Sequence, residues 1–116
     1  MNQGIFRDLL LEKYSHCSLC QVSNKELLIA SHIKPWSKSE SIEKLDRNNG
    51  FLLCPNHDRL FDKGYISFKD DGSIMISGNL SEIDRIFTNV RPDMSIELTI
   101  DNKRYLQYHR EHIFKG

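Results

Sequence analysis

The chain has 116 residues, and its 16 basic and 16 acidic side chains leave no net charge. That length suits one domain over residues 1–116, which buries roughly 65% of the surface that its unfolded chain exposes. No segment is long and apolar enough to cross a membrane, and the N-terminus lacks a secretory signal core, so we expect a cytoplasmic protein. A free-standing DNA-binding domain normally carries a basic surface, which the overall balance of charge here does not indicate.

The first part of the chain predicts a helix, a turn region, a strand and a loop. Residues 3–14 place apolar side chains at helical spacing with charged residues between them, which is typical of an amphipathic helix. Residues 15–24 are polar and predict a tight turn region. Residues 26–33 are apolar enough for a strand, whereas residues 34–48 show no clear period and predict mostly loop.

The middle of the chain predicts a strand followed at once by a helix. Residues 50–53 form a second short apolar segment that favours a strand. Pro55 suits the first turn of a helix, because its missing N–H would have no partner there, and Gly64 suits a helix end. We therefore predict a helix over residues 55–63.

The last part of the chain predicts a hairpin and three further elements. Two short apolar segments, residues 65–68 and 73–76, flank Asp70, Asp71 and Gly72, a turn sequence typical of hairpins. The remaining predicted elements are a short helix over residues 81–88, a strand over residues 95–100 and a helix over residues 102–114.

Four side chains have the spacing of a zinc site. Cys17 and Cys20 form a C-x2-C pair, and Cys54 and His57 form a C-x2-H pair. Zinc prefers four tetrahedral ligands drawn from thiolate and imidazole, and three cysteines cannot all pair within one chain. Three alternatives stay open: a redox-active thiol pair, three buried cysteines beside a surface histidine, and His16 as the fourth ligand.

A second group of side chains has the chemistry that phosphodiester hydrolysis requires: a base, a cation site and groups that hold both. His32 ends a predicted strand, and histidine is the best base near neutral pH, although a strand histidine alone is more often structural. Antiparallel pairing of the two predicted strands brings Asn49 towards His32, where its amide fixes either the loop or the imidazole. Asp58 and Asp62 share one helix face, either as cation ligands or as a solvated face.

Two motifs carry a resemblance to a known family. Residues 30–36 form the motif ASHIKPW, and residues 49–64 form the motif NGFLLCPNHDRLFDKG. The chain resembles the zinc-containing branch of the HNH endonucleases, most specifically over residues 17–68. The resemblance implies an α+β fold, in which a ββα-metal core with a structural zinc site is flanked by helices and a β-hairpin.

The resemblance also implies roles for individual residues. His32 falls on the general base that activates water, and Asn49 falls on the asparagine that orients this base and its loop. Asp58 and Asp62 fall on ligands of a catalytic divalent ion, while the C-x2-C and C-x2-H pairs fall on the zinc ligands. Ser31 departs from the family, which often has Asp or His there. The remaining oxygen-rich site fits Mg²⁺ or Mn²⁺ better than zinc.

DNA is the substrate that the resemblance implies, cleaved to 5′-phosphate and 3′-hydroxyl ends by the nuclease domain of a restriction or defence system. Lys34, Arg59 and Lys63 are candidates for phosphate contacts, which usually come from Arg, Lys and backbone amides, although each is also an ordinary surface charge. Other domains of a larger nuclease, or a second copy of the chain, are candidate partners. The alternative function is a zinc-braced nucleic-acid-binding module without catalysis, which Ser31 favours.

Overall fold

A computed structural model describes residues 3–116, in which helices and two antiparallel strand pairs form an α+β fold. In chain order the elements are α1 (Gln3–Lys13), β1 (Ile29–His32), α2 (Ser41–Lys44), β2 (Gly50–Leu53), α3 (Pro55–Asp62), β3 (Ile66–Phe68), β4 (Ile74–Ile76), α4 (Glu82–Phe87) and α5 (Ile100–His112). The predicted fold class is confirmed. Within residues 3–116, none of the helices has the length and apolar character needed to span a bilayer.

The centre of the fold is the pair of β1 and β2 with helix α3. The strands are antiparallel, with His32 opposite Gly50, and both α1 and α3 pack against them. A Cβ atom on Gly50 would collide with the Phe6 ring of α1, so only glycine allows this close approach. Pro55 occupies the first turn of α3, as predicted, and Gly64 follows the helix with a φ of 79° that favours glycine.

An aromatic cluster joins this centre to the hairpin of β3 and β4. The rings of Phe51, Phe61 and Phe68 are fully buried, and their centroids lie 5.7 to 6.0 Å apart. Such pairs add to the stability that the buried area alone provides. Because the three residues come from β2, α3 and β3, the cluster fixes the helix that carries the candidate site against both strand pairs.

The structure corrects several sequence predictions. The first strand is shorter than predicted, and the predicted loop at residues 34–48 contains α2, which begins at a capping box formed by Glu40 and Glu43. The strand predicted over residues 95–100 is wrong, since Ser95 makes only an isolated bridge to Ser73. The last helix begins two residues earlier than predicted.

His109 of α5 is a buried histidine that holds α3 and β3 together. Its Nε2 donates to the Phe61 carbonyl at 2.8 Å, its Nδ1 accepts from the Ser67 hydroxyl at 2.8 Å, and its ring stacks on Phe61. Burial lowers the pKa of His109 to about 4. The neutral imidazole is therefore part of the native packing.

The buried His109 should make the domain sensitive to acid. An unfolded histidine has a pKa of about 6.5, well above that of His109 in the folded protein. Between pH 6.5 and 4 the unfolded state therefore binds more protons than the folded state, and the free energy of unfolding decreases as the pH is lowered. From pH 7 to pH 5, the wild type should lose about 2 kcal/mol more unfolding free energy than the non-titrating variant His109→Gln. Urea unfolding at both pH values, with saturating zinc, measures this difference; equal losses would contradict the prediction.

Candidate functional site

A tight group of sulfur and nitrogen atoms lies where the loop after α1 meets the start of α3. The ligand atoms of Cys17, Cys20, Cys54 and His57 all lie within 4.8 Å of one another. Nδ1 of His57 is 3.7 Å from the Cys17 sulfur and 3.4 Å from the Cys54 sulfur. Tetrahedral zinc, with bonds of about 2.3 Å to sulfur and 2.0 Å to nitrogen, places such atoms about 3.5 Å apart. The donor set and its spacing therefore fit a structural zinc ion.

The loop that carries the first two cysteines is held by its own backbone and by His16. The Cys17 N–H donates to the Val22 carbonyl at 2.8 Å, which closes the turn. Nδ1 of His16 lies 2.6 Å from the Cys17 carbonyl and 3.1 Å from the Cys20 carbonyl, so this ring donates to the turn. The fourth member of the ligand group is His57. The alternative that His16 is the fourth ligand is therefore wrong.

The far side of the His57 ring is fixed by the end of α4. Its Nε2 lies 3.1 Å from the Thr88 carbonyl and 3.0 Å from the Asn89 carbonyl, and these acceptors place the proton on Nε2. Asn89 reaches this position with a φ of 58°, in the left-handed region that asparagine tolerates at helix ends. Nδ1 is thereby left free to bind a metal. The sequence offered no sign of this contact, because it spans about thirty residues.

A hydrogen bond between two of the thiols prepares one of them for metal binding. A hydrogen bond from Cys54 lowers the pKa of the Cys17 thiol to about 3, in spite of its burial. Because thiolates are the form that binds zinc, a readily ionised thiol favours metal loading near neutral pH.

His32 lies at the end of β1, between α1 and α2. Its ring stacks on Phe6 with centroids 3.8 Å apart, and its Nε2 lies 2.8 Å from the Lys44 carbonyl. Because a carbonyl only accepts hydrogen bonds, Nε2 carries the proton and Nδ1 keeps a lone pair. Burial lowers the pKa of His32 below its usual value. The result is an oriented, neutral imidazole, which is the form that a general base requires.

Asn49 holds the loop that supplies the acceptor for His32. It is fully buried, its side-chain oxygen accepts from the Lys34 N–H at 2.8 Å, and its amide donates to the Glu43 carbonyl at 3.1 Å. Glu43 also pairs with Lys34 at 2.9 Å across the same loop. The sequence left two roles open for Asn49, which were to hold the loop or to hold the imidazole. These contacts are to the loop, and they affect the Lys44 carbonyl only indirectly.

Asp58 and Asp62 lie one turn apart on α3, which contacts β1. Burial raises the pKa of Asp58, and the Asp62 charge raises it further, while the Ser31 hydroxyl of β1 acts in the opposite direction by hydrogen bonding. A cation between the two carboxylates would relieve their repulsion. Within residues 3–116, however, the cysteine–histidine group is the one preformed metal cluster, so His32, Asp58 and Asp62 do not form a second one.

The three candidate phosphate-binding residues differ in their surroundings. Arg59 is exposed on the same helix as the two aspartates, and Lys63 is exposed directly after the end of that helix. Lys34 is paired with Glu43, and its ammonium also lies 5.2 Å from the Tyr108 ring centre. Of these three residues, Arg59 and Lys63 have no ion pair within residues 3–116 and can contact a phosphate directly. The sequence did not indicate that Glu43 pairs with Lys34 or that the Lys44 carbonyl contacts His32, because no motif marks the short helix α2.

Known proteins share both the sequence pattern and the fold of this chain. A family model of the HNH endonucleases matches residues 17–69. Among solved structures, one described as "Modification dependent TagI restriction endonuclease" superposes with a TM-score of 0.56 at 18% sequence identity, covering 88% of this chain. The chain corresponds to 34% of that protein's length, and no curated protein matches it. The family match supports an HNH-type nuclease domain, and the structural likeness shows the fold.

Proposed function

We propose that this chain is an HNH-type endonuclease domain that hydrolyses DNA phosphodiesters with the help of a divalent cation. The observation that carries the proposal is the state of His32. Its Nε2 is committed to the Lys44 carbonyl, so the lone pair of Nδ1 remains to accept a proton from water. This arrangement occurs inside the segment that matches the HNH family model, residues 17–69.

The two aspartates of α3 are the groups that we propose to hold the cation. When bound, Mg²⁺ or Mn²⁺ supplies positive charge that stabilises the attacked phosphate and the leaving 3′ oxygen. Asp58 and Asp62 offer hard oxygen ligands from one helix face, which suits these ions. Ser31 places a hydroxyl beside Asp58, where a stronger ligand is common in the family, so water would have to complete the coordination of a bound ion.

The DNA strand is held, in this proposal, by two exposed cations at the C-terminal half of α3 and directly after it. Arg59 and Lys63 each directly follow one of the two aspartates in the chain, where they can pair with DNA phosphates near the cleaved bond. Restriction of foreign DNA is the setting that we propose, because the structural neighbour is described as a modification-dependent restriction endonuclease. The rest of a longer nuclease, or a second copy of the chain, would then supply sequence recognition.

Supercoiled plasmid provides the test of the proposed function. Zinc-loaded protein should nick the plasmid with added Mg²⁺ or Mn²⁺, and not without an added divalent ion. Asp58→Asn should slow nicking at least about tenfold, because it removes a charged ligand of the cation. Asp93→Asn is the matched control, since it removes an exposed carboxylate near α4, and it should not change the rate.

Two results would contradict the proposal. Equal nicking with and without an added divalent ion would exclude the cation from the reaction. Folded, zinc-loaded protein that binds DNA but does not nick it under any ion would support the nucleic-acid-binding module instead. That alternative rests on Ser31 and on the lack of a second preformed metal cluster within residues 3–116.

A further inference from the structure

Helix α4 has an outward face that is apolar. Ile83, Ile86 and Phe87 form this face, because they are spaced three and four residues apart on the helix. Their side chains are 66%, 73% and 81% exposed, and within residues 82–87 no side chain is buried. A surface helix ordinarily packs its apolar face on the core and leaves its polar face in water. The orientation of α4 is therefore the reverse of the usual one.

Arg85 holds the opposite side of α4 against the protein. Its guanidinium donates to the Leu80 carbonyl at 2.9 Å and to the Ser77 carbonyl at 3.1 Å. The Ser81 hydroxyl caps the start of the helix, and the carbonyls directly after its end accept from the candidate zinc ligand His57. These contacts fix the helix along its polar side and at both ends. The exposure of its apolar side is thus a built feature of the fold.

The outward face is large enough for the core of a protein interface. Its three side chains expose roughly 400 Å² of apolar surface, and patches of this size often have a binding function. Two copies that place these faces together bury roughly 800 Å² of it, about half of a standard interface of about 1,600 Å² and close to the apolar share of one. Neighbouring polar residues supply the rim of such an interface. The area therefore fits a pair of identical copies.

The charges at the two ends of α4 are complementary in an antiparallel pair. Glu82 is exposed at the N-terminal end and forms no ion pair within residues 3–116, whereas Arg91 is exposed beyond the C-terminal end. Arg91 pairs with Asp93 at 3.4 Å, but both side chains are largely exposed, so this pair is weak. A twofold axis near Ile86 brings each Glu82 towards the partner's Arg91. Because the chain has no net charge, two copies do not repel each other at long range.

We propose that the outward face of α4 is a dimer interface, on which a second copy of this chain packs its own α4 in antiparallel orientation. Ile83 of one copy then contacts the partner's Phe87, and Ile86 lies near the twofold axis. A twofold contact buries the same patch on both copies, so assembly stops at two. Of the candidate partners considered above, this face fits a second copy. The inference does not rest on the proposed nuclease activity.

Sedimentation velocity of the zinc-loaded chain, measured from about 1 to 100 µM without DNA, tests the proposal. The wild type should change from monomer to dimer over this range. Ile83→Glu should raise the dissociation constant at least about tenfold, because it places a charge in the apolar contact. Ile100→Glu, at a side chain that is 82% exposed on α5, is the matched control and should leave the constant unchanged. Both substitutions put glutamate in the first turn of a helix, where a negative charge is favourable.

Two charge reversals test the antiparallel arrangement. Glu82→Arg and Arg91→Glu should each raise the dissociation constant several-fold, because each brings like charges together across the interface. The double variant restores a pair of opposite charges and should dimerise nearly as well as the wild type. Asp84→Asn, which removes a charge from the other flank of α4, should not weaken the dimer. Additive weakening in the double variant would overturn the proposed arrangement.

Three other results would overturn the proposal. A wild type that stays monomeric up to about 100 µM would leave the outward face to another domain or protein. Aggregates that form equally in Ile83→Glu and Ile100→Glu would show non-specific association. Dilute Ile83→Glu should melt within a few degrees of the wild type, so a much lower melting temperature would show that Ile83 packs within the monomer. Because no DNA or added cation is present, each result is independent of plasmid nicking.

Discussion

His32→Ala should abolish plasmid nicking while the protein keeps its zinc and its fold. Removal of a general base costs a factor of about 10² to 10⁴ in rate, which places the residual activity below ordinary detection in a gel assay. The imidazole is oriented by the Lys44 carbonyl and by the Phe6 ring, and alanine offers no basic nitrogen in its place. Nicking rate, zinc content and circular dichroism, measured on one preparation, check the three parts of this expectation.

Two further variants sharpen the result. His32→Gln keeps an N–H donor for the Lys44 carbonyl but has no basic nitrogen, so it should be inactive with stability closer to that of the wild type. His112→Ala removes an exposed histidine of α5 and should retain full activity. If His32→Ala unfolds and His32→Gln still nicks DNA, the histidine is a packing residue and the assignment of the base is wrong.

The pH dependence of nicking should reflect the environment of His32. A base acts in its neutral form, so the rate should fall as the pH falls through the pKa of His32. The usual pKa of histidine is about 6.5, and burial lowers the pKa of His32. The nicking rate should therefore begin to fall only below the pH at which an exposed histidine would become protonated. The buried imidazole therefore extends activity towards mildly acidic conditions.

Cys54→Ala should lose zinc and unfold the domain near room temperature. Structural zinc contributes about 10 to 16 kcal/mol of binding free energy in small zinc domains, which equals or exceeds the whole stability of a domain of this size. Cys54 lies between β2 and α3. His57, the zinc ligand in the first turn of α3, also donates a hydrogen bond to the Asn89 carbonyl just after α4. Loss of the ion should therefore release both helices at once.

Zinc analysis and a thermal melt followed by circular dichroism measure this effect. A chelator added to the wild type should reproduce the melting of Cys54→Ala, and added zinc should restore the chelated wild type but not the variant. The same analysis tests the redox alternative, because a thiol redox pair predicts no stoichiometric zinc. An unchanged melting curve for Cys54→Ala would show that the cysteines are simply buried apolar residues.

Local sequence alone determined the parts of this protein that depend on short-range rules. The spacing of Cys17, Cys20, Cys54 and His57 predicts the group that the structure brings within 4.8 Å, because tetrahedral coordination restricts ligand spacing strongly. Pro55 and Gly64 marked the ends of α3 closely, since each has a backbone preference that does not depend on distant residues. The roles of Asn49, Asp58 and Asp62 in catalysis stay predictions.

Tertiary structure decided the contacts that join segments far apart in the chain. Lys44 supplies a carbonyl to His32 from a helix that the sequence predicted as loop, and Lys34 is paired with Glu43 instead of being free for DNA. The segment at residues 95–100 is not a strand, because within residues 3–116 its backbone pairing stops after Ser95, which bridges to Ser73, and Ile96, whose N–H donates to the Gly72 carbonyl. Contacts of this kind depend on how distant segments pack together, and the spacing of residues within one segment does not indicate them.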